Sequence, residues 1–532
     1  MTFNAEHIPI ENTGFFSTIV RDYIDGAKAL ESFYSFSPNV EGIAKAIKAR
    51  ENSGFNRSLL TNHLQEQYSG VELLPPLAKN IELLNNSNTY TVCTAHQPNI
   101  FTGHLYFVYK IIHAIRLASF LSEKLPDYNF VPVFYMGTED ADLEELGKVE
   151  IEGKVYKWET DQKGAVGRMK VDKALLDLLQ EMAAQVSVLP YGEEIISLLR
   201  RSYSLNETIE VATFKLVNEL FGRFGLIILL PDNANLKRSF SEIILKELQQ
   251  EFSSKAVNST VKSFPEKYKI QAGGRSINLF YLNDQVRERI EKVNHDFNVN
   301  NSEIRFSEAE IVELVESNPE RFSPNVILRP VYQELLLPNV AFIGGGGELA
   351  YWLELKKVFE EAGVPMPVLV LRNSFTIIRK KIAEQISKWD IEISDLFLKP
   401  VELANKIIAQ SSSSPLNLEV QRKSLDEIFG KISSIAGNQD NSLQKHVGAI
   451  HHSLLDKITA LEKKMKRAAR KRETDSVNQV NNIYNKLFPH GSLQERVDNI
   501  IPFYCLWGPQ IFDALLQHSG SFEQNFTVLT EQ

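Results

Sequence analysis

A chain of 532 residues is longer than one hydrophobic core usually supports, so at least two structural units, or one elaborated core with insertions, are expected. Its hydrophobic share of 43% and charged share of 23% exclude a disordered chain. The formal charge of −9 argues against a nucleic-acid partner held by global electrostatics, and two cysteines are too few for a disulfide framework or a paired-thiolate zinc site.

The N-terminal stretch MTFNAEHIPIENTG has no basic segment followed by an apolar one, and nowhere do about eighteen uncharged apolar residues run together. A cytoplasmic protein with no membrane partner is expected. Residues 1–88 are read as an N-terminal helical segment packing on the core.

Five short apolar runs look like buried parallel strands: Tyr90 to Ala95, Phe130 to Met136, Leu226 to Leu230, Val340 to Ile343 and Val368 to Leu371. Several pass into Gly, Asp, Asn or Pro and then into helical periodicity. That alternation is the mark of an α/β fold with a Rossmann-like, doubly wound parallel sheet, whose ligands bind beyond the carboxyl ends of the strands. The core should span 89–375. Its longer gaps exceed a single crossover helix, so insertions are expected at about 147–222 and 240–325, with β elements at Lys148 to Trp158 and Ser276 to Leu282. Cys93, inside the first run and without a nearby charge to activate it, reads as a small buried hydrophobe.

The first run ends in TAHQPNIFTGHLYFVYKII, residues 94–112, and a helix follows with Leu105, Val108, Ile112, Ile115 and Ala118 on one face. His96, Gln97, Asn99, Thr102, Gly103, His104 and Tyr106 are the candidate site residues here. Backbone donors and the dipole at the helix start attract a phosphate or carboxylate. Isolated histidines more often only cap backbone groups, but a pair flanking a glycine-containing βα turn is similar to the signature of class I aminoacyl-tRNA synthetases, where such histidines stabilise the phosphates of ATP.

The second run leads into VPVFYMGTEDADLEEL, residues 131–146. Carboxylates at a strand end can hold an ammonium, bind Mg²⁺ or act as bases, which makes Glu139 and Asp140 catalytic candidates and Asp142 a binding candidate. Glu144 and Glu145 are read as acids favoured in the first turn of a helix.

Residues 327–359 place Gly344 to Gly347 between a strand and an amphipathic helix. Gly345, Gly347 and Ala350 satisfy a weak G-x-G-x-x-A pattern, but no acidic residue stands about twenty positions on and Glu348 would repel a pyrophosphate. The absence of G-K-[ST] excludes a P-loop. Gly346 belongs to the same close-approach loop, Glu348 suggests recognition of a hydroxyl or amino group, and Tyr351 and Trp352 are either site or core residues. Arg329, Gln333 and Glu334 precede this strand, and Arg372 with Ser374 follows the next. The arginines either clamp a substrate carboxylate or form structural ion pairs with glutamates.

After Asn373 a long helical region is expected, broken near Ser411 to Pro415. From Val447 to Leu487 apolar positions step by three and four, a coiled-coil pattern with a stutter at Ile458, compatible with an antiparallel hairpin to the helix before Asn438 or with a dimer. The helical coiled-coil domain should span 376–488, and 489–532 should return to the core. The run Lys463 to Arg467 reads as a solvated face rather than a synthetase KMSKS loop.

Taken together, these residues resemble the BshC family of bacillithiol biosynthesis. The resemblance lies in Gln97 and Thr102-Gly103 leading to Leu105-Tyr106 and Lys110, in PVFYMGTEDADLEEL, in RPVYQELLLPNVAFIGGGGELAYW with MPVLVLRNSF, and in LFPHGSLQERVDNIIPFY. It implies a Rossmann-type core interrupted by connecting-peptide insertions, a coiled coil that mediates a homodimer, and a ligase joining L-cysteine to the amine of glucosaminyl-malate through an amide bond. A carboxylate acylates an amine at neutral pH only with a good leaving group, so activation by ATP is expected, with Mg²⁺ as a further candidate. The turn from His96 to His104 would then meet phosphates, Glu139 or Asp140 an ammonium or Mg²⁺, and Glu348 with Arg372 the sugar acid. Two other readings stay open: a nucleotidyltransferase-superfamily enzyme acting on another amino sugar or acid, and a non-catalytic coiled-coil scaffold.

Overall fold

The computed structural model describes residues 2–532 apart from Asn52, Asp390, 412–416 and Glu473. Its strands are β1 (Phe3–Pro9), β2 (Thr89–His96), β3 (Asn129–Met136), β4 (Lys148–Ile151), β5 (Lys154–Lys157), β6 (Ile227–Leu229), β7 (Leu279–Leu282), β8 (Arg287–Val293), β9 (Asp296–Val299), β10 (Arg305–Ser307), β11 (Phe322–Pro324), β12 (Asn339–Gly344), β13 (Val368–Leu371), β14 (Ser374–Ile378) and β15 (Asn525–Glu531).

The five apolar runs all become strands of one parallel sheet, in the order β13-β12-β2-β3-β6. Their near-continuous burial explains why they lack the alternation of one-sided strands: helices cover both faces. From β2 the chain adds β3 and β6 on one side and β12 and β13 on the other. The winding therefore reverses between β2 and β12, and a crevice opens there beyond the strand ends. The Leu105–Lys124 helix, with mean hydropathy 1.2, is long and apolar enough to cross a membrane, yet it is mostly buried against β2 and β3 as a core helix.

The first insertion carries the antiparallel hairpin β4–β5, and the second an antiparallel sheet ordered β10-β9-β8-β7-β11, in keeping with the two β signals read there.

One sheet was not anticipated. β1 pairs antiparallel with β15, which pairs parallel with β14, where the sequence suggested helix at both the N-terminus and the region after Asn373. Helices at Thr18–Ile24, Val40–Glu51, Arg57–Gln67 and Pro75–Leu83 do follow β1. These strands depend on partners more than a hundred residues away in sequence, such as Ser374 opposite Phe526, so local pattern carries little of the signal.

The helices Glu419–Gln439 and Asn441–Arg472 form an antiparallel hairpin, cross-linked by Arg422 and Glu462 at 2.7 Å and by the stacked rings of Phe429 and His451 at 4.8 Å. The expected break at Ser412 to Pro415 lies outside the described residues. Val480, Ile483 and Leu487, on the returning helix Thr474–Leu487, are buried, whereas Ile450 and Leu461 of the predicted seam are 48% and 49% exposed.

Candidate functional site

A cavity of about 420 Å³ occupies the crevice between β2 and β12. This is within the range of small-molecule sites. Its walls come from the ends of four strands: His96, the last residue of β2, and Gln97 after it, Gly137 after β3, Gly345, Gly346, Gly347 and Glu348 after β12, and Arg372 after β13. Tyr106 and Lys110 enter from the Leu105–Lys124 helix, and Arg329 and Gln333 from the Arg329–Leu336 helix. Tyr351 and Trp352 complete one side, with Trp352 stacked on Phe342 at 4.1 Å as part of the core.

The charge balance is strongly positive. Lys110, Arg329, Arg372 and Arg496 line the cavity against one carboxylate, Glu348. That carboxylate is not free: it pairs with the buried ammonium of Lys110 and accepts the Gly345 amide at 2.9 Å, closing the first turn of the Gly346–Trp352 helix on itself. The repulsion of phosphate expected from Glu348 is thereby largely cancelled. Burial pulls the Lys110 ammonium below its usual range, with Glu348 acting against that shift.

Arg372 is held from behind by Glu495 at 2.6 Å and by Ser374 at 3.2 Å, and its guanidinium carbon sits 5.5 Å from the centre of the Tyr106 ring. The ion-pair reading of this arginine is met by Glu495, and the side chain also lines the cavity. Ser374 itself is buried beneath it and does not reach the cavity wall. Arg496, from the C-terminal segment, is exposed and has no ion pair among the described residues.

Asp140 lies one layer behind. Burial would raise its carboxyl, but Arg287 and Arg329, at 4.0 and 3.9 Å, and the Gln97 amide donating at 3.0 Å hold it below the usual range. It therefore orients Gln97 and Arg329 rather than lining the cavity. Glu139 is further removed. It is buried in a close ion pair with Lys237, which also donates to the Phe322 carbonyl at 2.6 Å, and burial leaves the acid above its usual range even though Lys237 opposes this. Asp142 caps the short helix Leu143–Leu146 by accepting the Glu145 amide at 3.0 Å.

The turn after Gln97 departs from the expected anion cradle. The amide of Leu105 donates to the Asp498 carbonyl at 2.8 Å, and a ring nitrogen of His104 lies 3.0 Å from the Val497 carbonyl. Asn499 donates to the carbonyls of Phe101 and Gly103, at 2.9 and 2.5 Å. The C-terminal segment thus occupies the helix start where a phosphate was expected. Phe101, Thr102 and Gly103 all have positive φ, and a Cβ on Gly103 would meet that of Asn99 at 2.7 Å, so glycine is required there. Asn99, Thr102, Gly103 and His104 build the turn; His96 and Gln97 face the cavity. Glu334 also points elsewhere, into a buried bond with Arg50 at 2.8 Å and Asn339 at 2.8 Å, while receiving the Gln333 amide at 2.9 Å.

Lys110, Tyr135, Gln271 and Arg496 are cavity residues that the sequence reading did not single out as such. Lys110 left a local trace, as the one cation in the otherwise apolar run Leu105 to Ile115 apart from His113, while Tyr135 and Arg496 lie within the quoted motifs PVFYMGTEDADLEEL and LFPHGSLQERVDNIIPFY.

A parallel doubly wound sheet with a polar, cationic cleft at its switch point defines a Rossmann-type enzyme core; a scaffold has no use for this convergence. Residues 3–373 match the family described as bacillithiol biosynthesis BshC, N-terminal Rossmann-like domain, and residues 375–531 its C-terminal coiled-coil domain. The chain belongs to the BshC family. It is 38% identical over 525 residues to a protein of Flavobacterium johnsoniae named "Putative cysteine ligase BshC", covering 98% of this chain and 99% of that one. A Cytophaga hutchinsonii protein of the same name is 34% identical over 502 residues, covering 94% of each.

Proposed function

We propose that this protein joins L-cysteine to the amine of glucosaminyl-malate through an amide bond, the last step of bacillithiol synthesis, with ATP activating the cysteine carboxylate. The observation that carries the reading is the convergence of Lys110, Arg329, Arg372 and Arg496 on one cavity at the switch point. The malate part of the sugar acid brings two carboxylates, and guanidinium groups are suited to hold such planar anions bidentately. Arg329, fixed by Asp140, and Arg496, without an ion pair among the described residues, are its ligands in this account.

The same cationic wall and the close-approach loop Gly345 to Gly347 fit a polyphosphate, and bound ATP would supply the leaving group that cysteine lacks. The acids at the end of β3 do not fit Mg²⁺. Glu139 is committed to Lys237 and Asp140 to Arg287, Arg329 and Gln97, and no cluster of three metal-ligating side chains is found among the described residues. Burial pushes the Tyr106 phenol up to about 12, so it is neutral and able to donate a hydrogen bond. The coiled-coil hairpin is the proposed homodimer contact, supported by apolar residues it leaves in solvent, Ile428, Ile432 and Ile435 among them.

In a strain deleted for this chain, the thiol product should disappear and return with the wild-type gene but not with Arg329→Ala. Undiminished thiol in the deletion strain would refute the assignment.

A further inference from the structure

We propose that Nε2 of His96 is the general base of amide formation, taking a proton from the amine as it closes on the activated cysteinyl carbonyl; this rests on the ligase reading above. His96 is the last residue of β2, beside the switch point, and its ring forms part of the cavity wall. Nδ1 stands 3.1 Å from the carbonyl oxygen of Gln97. A carbonyl has no proton to give, so Nδ1 carries the hydrogen and donates it, and in the neutral ring the lone pair lies on Nε2.

Nε2 has no hydrogen-bond partner among the described residues, and aromatic packing fixes the ring instead. Tyr106 lies 5.3 Å away at 40° and Phe107 5.5 Å away at 68°. A ring nitrogen with a free lone pair, on a largely buried side chain that opens on a polar cavity, is placed to receive a proton from what binds there.

The groups around it keep the ring neutral. Burial opposes a second proton most, then the Lys110 ammonium, with His104 and Arg329 adding to it, while the Gln97 carbonyl favours protonation. A phosphate clamp needs a charged imidazolium, which these neighbours disfavour. An anionic substrate held by Arg329 and Arg496 offsets the local positive charge, so the ring gains proton affinity when the site is filled.

In the step itself, the amine reaches the carbonyl as the free base, its ammonium proton already lost to water. The nitrogen lone pair forms the C–N bond. The C–O bond to the activating group breaks with its electron pair leaving on that oxygen, and the surplus proton on nitrogen passes to Nε2 and then to water. The co-reactant is an acyl-activated cysteine of the mixed-anhydride class.

The test uses the full chain with L-cysteine, glucosaminyl-malate and ATP. His96→Ala and His96→Asn, the latter keeping a donor for the Gln97 carbonyl, should lower kcat by about 10²–10³-fold with the KM for the sugar amine within about threefold. Added imidazole should restore part of the rate to folded His96→Ala. A kcat within tenfold of wild type in His96→Asn, a loss carried by KM, or no rescue by imidazole would overturn the base. Absence of product from the wild type would instead overturn the ligase reading, so the two failures are distinguishable.

Discussion

Lys110 and Glu348 form an ion pair across the switch point, tying the end of β2 to the glycine loop after β12. The lysine also donates to the Ala95 carbonyl at 2.9 Å, and the glutamate also accepts the Gly345 amide at 2.9 Å. Removing the cation leaves a partly buried carboxylate without its partner. Lys110→Met should therefore cost about 1–3 kcal/mol in chemical denaturation, and adding Glu348→Gln should recover part of that loss. Additive losses in the double variant would show that the two side chains do not act as a pair.

Arg496 offers the cleanest test of anion binding, because it lines the cavity while exposed and without an ion pair among the described residues. Arg496→Ala should raise the KM for glucosaminyl-malate by roughly tenfold with unchanged melting temperature, which corresponds to about 1.4 kcal/mol. The KM of the wild type should also rise with ionic strength, and more steeply than that of the variant.

Glu139 is buried in an ion pair with Lys237 and does not line the cavity. Glu139→Ala strands the buried Lys237 and should destabilise the fold by about 3–5 kcal/mol. Glu139→Ala with Lys237→Met should regain stability and activity together. A double variant that folds as well as wild type yet stays inactive would return Glu139 to the chemistry.

Asp498 gives a pH signature. Burial is the main cause that moves its carboxyl from 3.8 up to about 7, with Glu152 and Glu150 adding to it against the pull of Arg379. A carboxyl that binds its proton more tightly folded than unfolded stabilises the fold while protonated. That contribution is full below the ordinary carboxylate range and drains away as pH rises toward about 7. Asp498→Asn should narrow the drop in melting temperature between about pH 5 and about pH 8 by a few degrees. An unchanged drop would contradict the assignment.

The hairpin's exposed Ile432 and Ile435, at 41% and 66%, are the proposed homodimer surface. Replacing both with Asp should convert a dimer to a monomer by light scattering, without loss of helical signal. A wild-type monomer at micromolar concentration would reject the pairing.

Much of this was readable from the chain because buried parallel strands announce themselves as apolar runs, and residues just after them fall at one end of the sheet. His96, Gln97, Arg372 and the glycine loop were found in that way. Not every strand-end residue reaches the cavity wall. Glu139 follows β3 as a site residue would, but its partner Lys237 is 98 positions away and its pairing has no local signature. Arg496 and Gln271 reach the cavity from the C-terminal segment and the second insertion, contacts that only tertiary packing creates. The same segment supplies Asn499 and Asp498, which turned the expected phosphate cradle at His104 into a filled helix start. β1, β14 and β15 escaped because each is defined by a partner remote in sequence.

The central claim is tested most directly by incubating the purified full chain with L-cysteine, glucosaminyl-malate and ATP and following the product by mass spectrometry. The account predicts the bacillithiol mass, with AMP released in step and a strongly reduced yield from Arg329→Ala. Folded protein that gives no such mass under any nucleotide condition would contradict it.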